Sequence, residues 1–416
     1  MDHFGFGIEH RAECHCTIYR HISVQIAARS RNRKTLHQQY SITTVYSRAS
    51  SSLPRTRRVE ASTKPVNPFS KYRGIRLNDQ FIASSDLSQT KGKDQFESDV
   101  ISFCREIFDN SESISIQTSG STGAPKSLTF QKSALIQSAS ATNDCFSLDS
   151  RSKALLSLPL NYVAAKLMVV RAIIGEYNLA TVTPTSNPLK ELKEPISFIP
   201  MTPHQVKSVL TESPQAFDKV AIVLLGGGEV SIELRSQLPK LNAGFYAGFG
   251  MAETLTHFAL SKIGEKTDTT YKALPDVTID ADERGCLLIN RPGITKGSLV
   301  TNDLIELTEG GFKWLGRVDN LINSGGVKII PEEVEKLLKS KIDSAFFVSG
   351  IPDSSLGQQV ALFIEGHEGI DLNETTFPNT YHRPKKTINL KSFLYTESGK
   401  IRRKETVARW MDSIGD

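Results

Sequence analysis

The sequence predicts a layered α/β protein, a large N-terminal body followed by a smaller α+β unit, and three observations carry that expectation. Short apolar runs alternate with stretches of helical spacing through the body. The pattern restarts after Gly316, and 416 residues suffice for one large core and one small one. The expected division is an extension over 1–64, a body over 65–315, a connecting segment over 316–320 and a C-terminal unit over 321–416.

In the body, Phe96, Val100, Ile101, Cys104, Ile107 and Phe108 recur at three and four, which predicts a helix over 95–108. Strands are predicted near 127–130, 153–158, 179–182, 221–225 and 244–246, with helices over 133–142 and 164–174 between them. In the C-terminal unit, Pro331 opens an acidic helix reaching residue 339, and strands follow near 344–349 and 359–364.

Composition narrows the function classes. Hydrophobic residues at 39% and charged residues at 23% describe an ordinary globular chain. The net charge of +5 is not spread over a binding face: residues 1–64 hold 11 Lys or Arg against 4 Asp or Glu, a surplus of 7, which leaves −2 for the rest. That argues against a nucleic-acid partner. The Arg/Ser/Thr-rich extension lacks an apolar h-region and reads as disordered, transit-like or non-native, so it is set aside from the fold argument. No apolar run is long enough for a membrane span. The odd set Cys14, Cys16, Cys104, Cys145 and Cys286 points to a reducing compartment, with the cytoplasm as the expected location. Cys14 and Cys16, even with His10 and His21, match no common zinc spacing.

Five segments carry candidate chemistry. Thr118-Ser119-Gly120-Ser121-Thr122-Gly123-Ala124-Pro125-Lys126 packs two glycines, four hydroxyls and a lysine into nine positions, a composition suited to gripping phosphate. Pro125 and the strand after it separate this loop from a Walker A loop, while a linker is the plain alternative. Gly226-Gly227-Gly228 follows an apolar strand, where open α/β sheets place ligands or simply make a tight turn. Around Tyr246, the run ending Met251-Ala252-Glu253-Thr254 offers a stacking ring, a hydroxyl, and in Glu253 a carboxylate suited to Mg²⁺. Asp303 has the acceptors to take both ribose hydroxyls, and Arg317 with Asp319 lies just beyond it; a surface ion pair is the alternative reading. Lys400 sits beside Gly399 near the end of the chain and by itself reads as a solvated lysine.

In this order the five segments resemble the core motifs of the acyl-adenylate-forming (AMP-binding) superfamily, over about residues 70–410. The compact form, with Leu158-Pro159-Leu160-Asn161-Tyr162 leading to Lys166 and Arg171, is similar to short bacterial o-succinylbenzoate-CoA ligases of menaquinone biosynthesis. The resemblance implies an N-terminal adenylation domain, truncated at its start, and a small mobile C-terminal lid. It implies ATP, Mg²⁺ and coenzyme A as cofactor and co-substrates and a small carboxylic acid as the group activated. Residues 118–126 would grip the ATP phosphates, Gly226, Gly227, Gly228 and Tyr246 would line the adenine, and Thr254 and Glu253 would meet the α-phosphate and the metal. Asp303 and Arg317 would hold the ribose, Lys400 would neutralise charge during adenylation, and Asp319 would be the hinge. Lys166, Arg171 and Tyr162 fall beside the implied acyl site, where a dicarboxylate needs a cation; solvated lysine and arginine tips on an apolar helix are the alternative. The chain departs from the pattern at Asn161-Tyr162, where many relatives carry histidine, and at Asn323, where many carry lysine. The same nucleotide motifs would equally serve an aryl- or fatty-acyl-CoA ligase, or an enzyme that loads a carrier-protein thiol. A nucleotide-binding protein without turnover is the non-enzymatic alternative, against which Lys126, Glu253, Asp303 and Lys400 speak.

Overall fold

The computed structural model describes residues 67–118, 126–264, 269–366, 369–373, 375–396 and 400–415, all within one compact unit. The extension, with Cys14 and Cys16, lies outside the described residues. So do residues 119–125 of the glycine-hydroxyl loop, the side chains of Thr118 and Lys126, and residues 397–399.

A nine-stranded sheet forms the body. Its spatial order is Lys272–Ala273, His257–Ile263, Gly244–Gly250, Val220–Leu225, Ile196–Met201, Lys153–Leu156, Asn178–Thr181, Gly74–Leu77 and Gln80–Ala83. The six strands from Gly244–Gly250 to Gly74–Leu77 run parallel, and antiparallel strands close both edges. Parallel strands covered on both faces read as continuous apolar runs, which is why Val220–Leu225 is Val-Ala-Ile-Val-Leu-Leu. From Lys153–Leu156 the chain builds to one side through Asn178–Thr181 and then crosses to the other through Ile196–Met201. This reversal of strand order is where such sheets open a ligand crevice at their carboxyl ends.

Helix Gln95–Phe108 is begun by Asp94, whose carboxylate accepts from Glu97 N at 2.8 Å, and it buries the face predicted from its spacing. Helix Val163–Gly175 is apolar nearly all round because it is buried nearly all round, packed on helix Lys132–Phe146 and the sheet. Helix Pro203–Glu212 starts with a reciprocal capping box between Thr202 and Gln205. Strands Ser113–Thr118 and Lys126–Gln131 pair antiparallel with Thr118 opposite Lys126, so the glycine-hydroxyl loop joins two strands, as expected.

A four-stranded antiparallel sheet, Thr278–Ala281, Cys286–Asn290, Leu299–Thr308 and Gly311–Arg317, follows in the body. The C-terminal unit is a five-stranded sheet with helices Pro331–Leu338 and Arg403–Gly415, and it has apolar clusters of its own around Leu362 and Phe363. The terminal helix is an element the sequence reading had not marked.

Candidate active site

The carboxyl ends of adjacent parallel strands bring two of the glycine-rich segments together. Val220–Leu225 and Gly244–Gly250 pair in register, so residues 226–228 and the run ending at Thr254 leave the same edge of the sheet. Gly226 N donates to Met201 O at 3.0 Å, and a Cβ built on Gly226 would meet nothing within 4 Å. Gly227 has φ +79°, the left-handed region where glycine carries no penalty. The loop is therefore open above its backbone, as a bound ring would require. Tyr246 is half-buried, held edge-on by Phe146 with ring centroids 5.0 Å apart. Gly226→Ala is expected to leave the melting temperature unchanged yet raise the KM for ATP about tenfold, since one added methyl in a fitted pocket is worth that much. Wild-type kinetics in this variant would place the nucleotide elsewhere.

The turn after Gly250 is tightly constrained. Thr254 is fully buried; its hydroxyl accepts from Met251 N at 3.2 Å and lies 3.0 Å from Met251 O and 2.8 Å from Thr256 O, to one of which it donates. To meet a phosphate, that hydroxyl must exchange a carbonyl of the turn for it. Glu253 beside it is exposed, as a carboxylate offered to a cation would be. Leu255 takes φ +66°, a conformation costing roughly 1–3 kcal/mol for a non-glycine residue. Its side chain is fully buried in the main core, a contribution of about 1.5–3 kcal/mol that offsets the strain.

Asp303 and Arg317 face each other across strands Leu299–Thr308 and Gly311–Arg317. Asp303 Oδ1 accepts from Trp314 Nε1 at 3.0 Å and from Arg317 at 3.4 Å, while Arg317 also donates to Asp319 at 2.8 Å. Burial opposes ionisation of Asp319, but hydrogen bonds from Arg317 and Asn302 outweigh it and hold the carboxyl below its usual range. The candidate ribose residues and the candidate hinge are thus one network. Helix Pro331–Leu338 packs against this sheet: Asn320 Nδ2 donates to Glu332 Oε1 at 2.6 Å, and Arg403 bridges Glu332 and Glu335. Lys400 is exposed, its backbone paired with Thr396 beside the bridge between Tyr395 and Ile401.

The three acyl-side candidates separate. Tyr162, the residue before helix Val163–Gly175, is exposed. Lys166 places its ammonium 5.0 Å from the Phe103 ring centroid, a cation–π contact on the flank of the body. Arg171, five residues on and so on another side of the helix, does the opposite of reaching solvent: it is 1% exposed. Its guanidinium lies 3.5 Å from Met168 Sδ and 3.4 Å from Thr256 Oγ1, and its Nε has no partner among the described residues. Burial pulls its pKa down to about 10. A groove of about 380 Å³ lined by Phe96, Leu160, Asn161, Thr183 and Pro184 runs along the carboxyl ends of the two neighbouring strands.

Four polar residues of this region had no signal in the sequence. Arg291 is fully buried and donates to Asp276 Oδ2 at 2.9 Å, to Thr254 O at 3.3 Å and to His257 O at 3.5 Å; Gln137 Nε2 holds Asp276 at 3.0 Å. His257 is buried between Thr142 and Thr256.

Burial first, then Arg171 and Arg291, push the His257 pKa well below its ordinary 6.5. The folded state therefore refuses a proton that the unfolded chain accepts below about pH 6.5, and stability is lost as pH falls through that point. Relative to His257→Gln, the wild type should lose about 1 kcal/mol between pH 6.5 and 5.5 in urea unfolding. A constant difference across that range would mean that the histidine protonates in place.

A family model described as AMP-binding enzyme matches residues 28–299, starting inside the extension set aside above. The chain is 27% identical over 322 residues to a 2-succinylbenzoate–CoA ligase of Staphylococcus epidermidis, covering 69% of this chain and 68% of that protein. It is 28% identical over 280 residues to the Escherichia coli 2-succinylbenzoate–CoA ligase, covering 62% and 59%. Among solved structures, an acyl-CoA synthetase (AMP-forming)/AMP-acid ligase II-like protein from Dyadobacter fermentans matches at 32% identity, 79% of this chain and 98% of that one, with a TM-score of 0.55. The o-succinylbenzoate CoA synthetase of Bacillus subtilis, solved with its acyl-adenylate intermediate, shares the fold at a TM-score of 0.64, 22% identity and coverage of 70% and 68%.

Proposed function

The chain belongs to the AMP-binding enzyme family, and from that premise we propose that it activates o-succinylbenzoate with ATP as the acyl-adenylate and then forms the coenzyme A thioester, a step of menaquinone biosynthesis. The observation that carries the choice of acid is Arg171, a buried cation with no carboxylate partner among the described residues, 3.4 Å from the turn that leads out of the nucleotide segment. An acid with a second, unreacted carboxylate supplies the missing charge; a fatty acid does not. The names of the curated relatives agree with this reading.

In the adenylation step one oxygen of the substrate carboxylate bonds to the α-phosphorus and pyrophosphate leaves with the bonding electron pair. The contribution of this chain is positioning and charge stabilisation. Residues 226–228 and Tyr246 form the adenine face, Asp303 accepts from the ribose hydroxyls and Arg317 fixes Asp303, and residues 118–126 receive the phosphates. A magnesium ion supplies charge neutralisation on the phosphates, with Glu253 as the residue that would hold it. Lys400 contributes its charge from the C-terminal unit. The separate apolar clusters of residues 321–416 and the short turn Val318–Asn320 support a rigid lid that swings about Asp319, so that a coenzyme A thiol can then attack the acyl carbon and release AMP.

The deciding measurement is ATP-dependent pyrophosphate release with o-succinylbenzoate, benzoate or octanoate, each with and without coenzyme A. Release with o-succinylbenzoate alone, accelerated by coenzyme A, is the expected result. Release with benzoate or octanoate instead would keep the family and discard the acid.

A further inference from the structure

We infer that Arg291, anchored by Asp276, is a positioning residue that locks the nucleotide turn and the acid-binding cation into one rigid frame. The inference rests on the adenylating reading of the site.

Three segments meet at this pair, in which Arg291 is fully buried and Asp276 partly exposed. The first is the turn 251–257. Arg291 donates to the Thr254 carbonyl at 3.3 Å and to the His257 carbonyl at 3.5 Å, clamping both sides of Leu255, whose φ of +66° no local preference maintains. Between those two carbonyls lies Thr256, whose hydroxyl is 3.4 Å from the Arg171 guanidinium. The second segment is helix Lys132–Phe146, which follows directly from strand Lys126–Gln131 at the exit of the phosphate loop. Its Gln137 donates to Asp276 at 3.0 Å and to Pro292 O at 2.8 Å. The third is the end of strand Cys286–Asn290, which delivers Arg291 itself, with Arg291 N bonded to Thr295 Oγ1 at 2.9 Å.

The donors of one guanidinium therefore fix the carbonyl on each side of the strained residue, and the anchor of that guanidinium is tied to the helix behind the phosphate loop. A planar fork with five donors spread over three nitrogens serves this geometry, and lysine, whose three donors all leave one nitrogen, does not. Thr254, Glu253 and Arg171 share this frame, so a shift of the turn would misplace both substrates at once.

The test separates positioning from mere stability. Replacing an ion pair whose cation is buried by apolar groups of similar volume removes a desolvated charge without leaving its partner unpaired, so the double variant Arg291→Met/Asp276→Leu should melt within a few degrees of the wild type. Its affinity for ATP, titrated calorimetrically on the full chain, should nonetheless fall about tenfold, and pyrophosphate exchange with o-succinylbenzoate should lose about a hundredfold in kcat. Arg291→Lys, which keeps the charge, should show the same losses in smaller measure with a nearly unchanged melting temperature. A folded double variant with wild-type ATP affinity and kcat overturns the inference, and so does Arg291→Lys with wild-type ATP affinity should the double variant not fold. Absence of exchange in the wild type sinks the choice of acid alone, because the ATP titrations still decide the role of Arg291. A wild type that binds no ATP overturns both.

Discussion

Arg171→Met is expected to raise the KM for o-succinylbenzoate about a hundredfold while leaving the protein at least as stable as the wild type. Loss of a buried cation that meets a substrate carboxylate costs roughly 3 kcal/mol, which is two factors of ten. The stability term has the opposite sign. Burial pulls the Arg171 pKa down to about 10, below the ordinary guanidinium range, so carrying the charge into the core works against stability. Because the folded-state value is the lower one, that cost is present in full below about pH 10 and is relieved only at higher pH. Methionine fills the volume and removes the charge. The KM for ATP and any residual turnover of benzoate should not change. A large fall in melting temperature, or equal losses with benzoate and o-succinylbenzoate, would make Arg171 a structural residue.

Lys400→Ala should reduce adenylate formation by about two to three orders of magnitude, the range for removing one preorganised charge from a transition state. The lysine is exposed and only its backbone pairs with Thr396 among the described residues, so the melting temperature should stay where it is. The thioester half-reaction, started from synthetic acyl-adenylate and coenzyme A, should proceed at the wild-type rate, because the lid would have carried Lys400 away from the reacting atoms by then. Equal damage to both half-reactions would remove Lys400 from the adenylation step and with it the lid swing about Asp319.

Local pattern was enough for much of this protein. The helix Gln95–Phe108 follows from apolar spacing, the strand after the phosphate loop from the pattern at 127–130, and the Pro331 helix from its first residue, whereas the partner strand Ser113–Thr118 was not predicted. Gly226 to Gly228 follow directly on the apolar strand Val220–Leu225, as the sequence pattern predicts. Each of these is decided within a few residues of itself, by backbone freedom, capping or one-sided burial. The joint order of five such segments was also enough to place the chain in its family.

What the sequence left open depends on contacts between distant residues. An arginine in an apolar helix reads equally well as a solvated tip, and only the packing of Lys132–Phe146 and the turn at Thr256 makes Arg171 a buried, carboxylate-free cation. Arg291, Asp276 and Gln137 have no shared local signature, since Gln137 stands 139 residues from one partner and 155 from another. The left-handed Leu255 breaks every local preference and is held by burial and by those remote donors. Sequence thus marked the segments proposed to bind a nucleotide, because binding a phosphate or a ring needs particular local backbone. Tertiary structure decided which charges are buried beside them, because desolvation and ion pairing are properties of what surrounds a residue rather than of the residue itself.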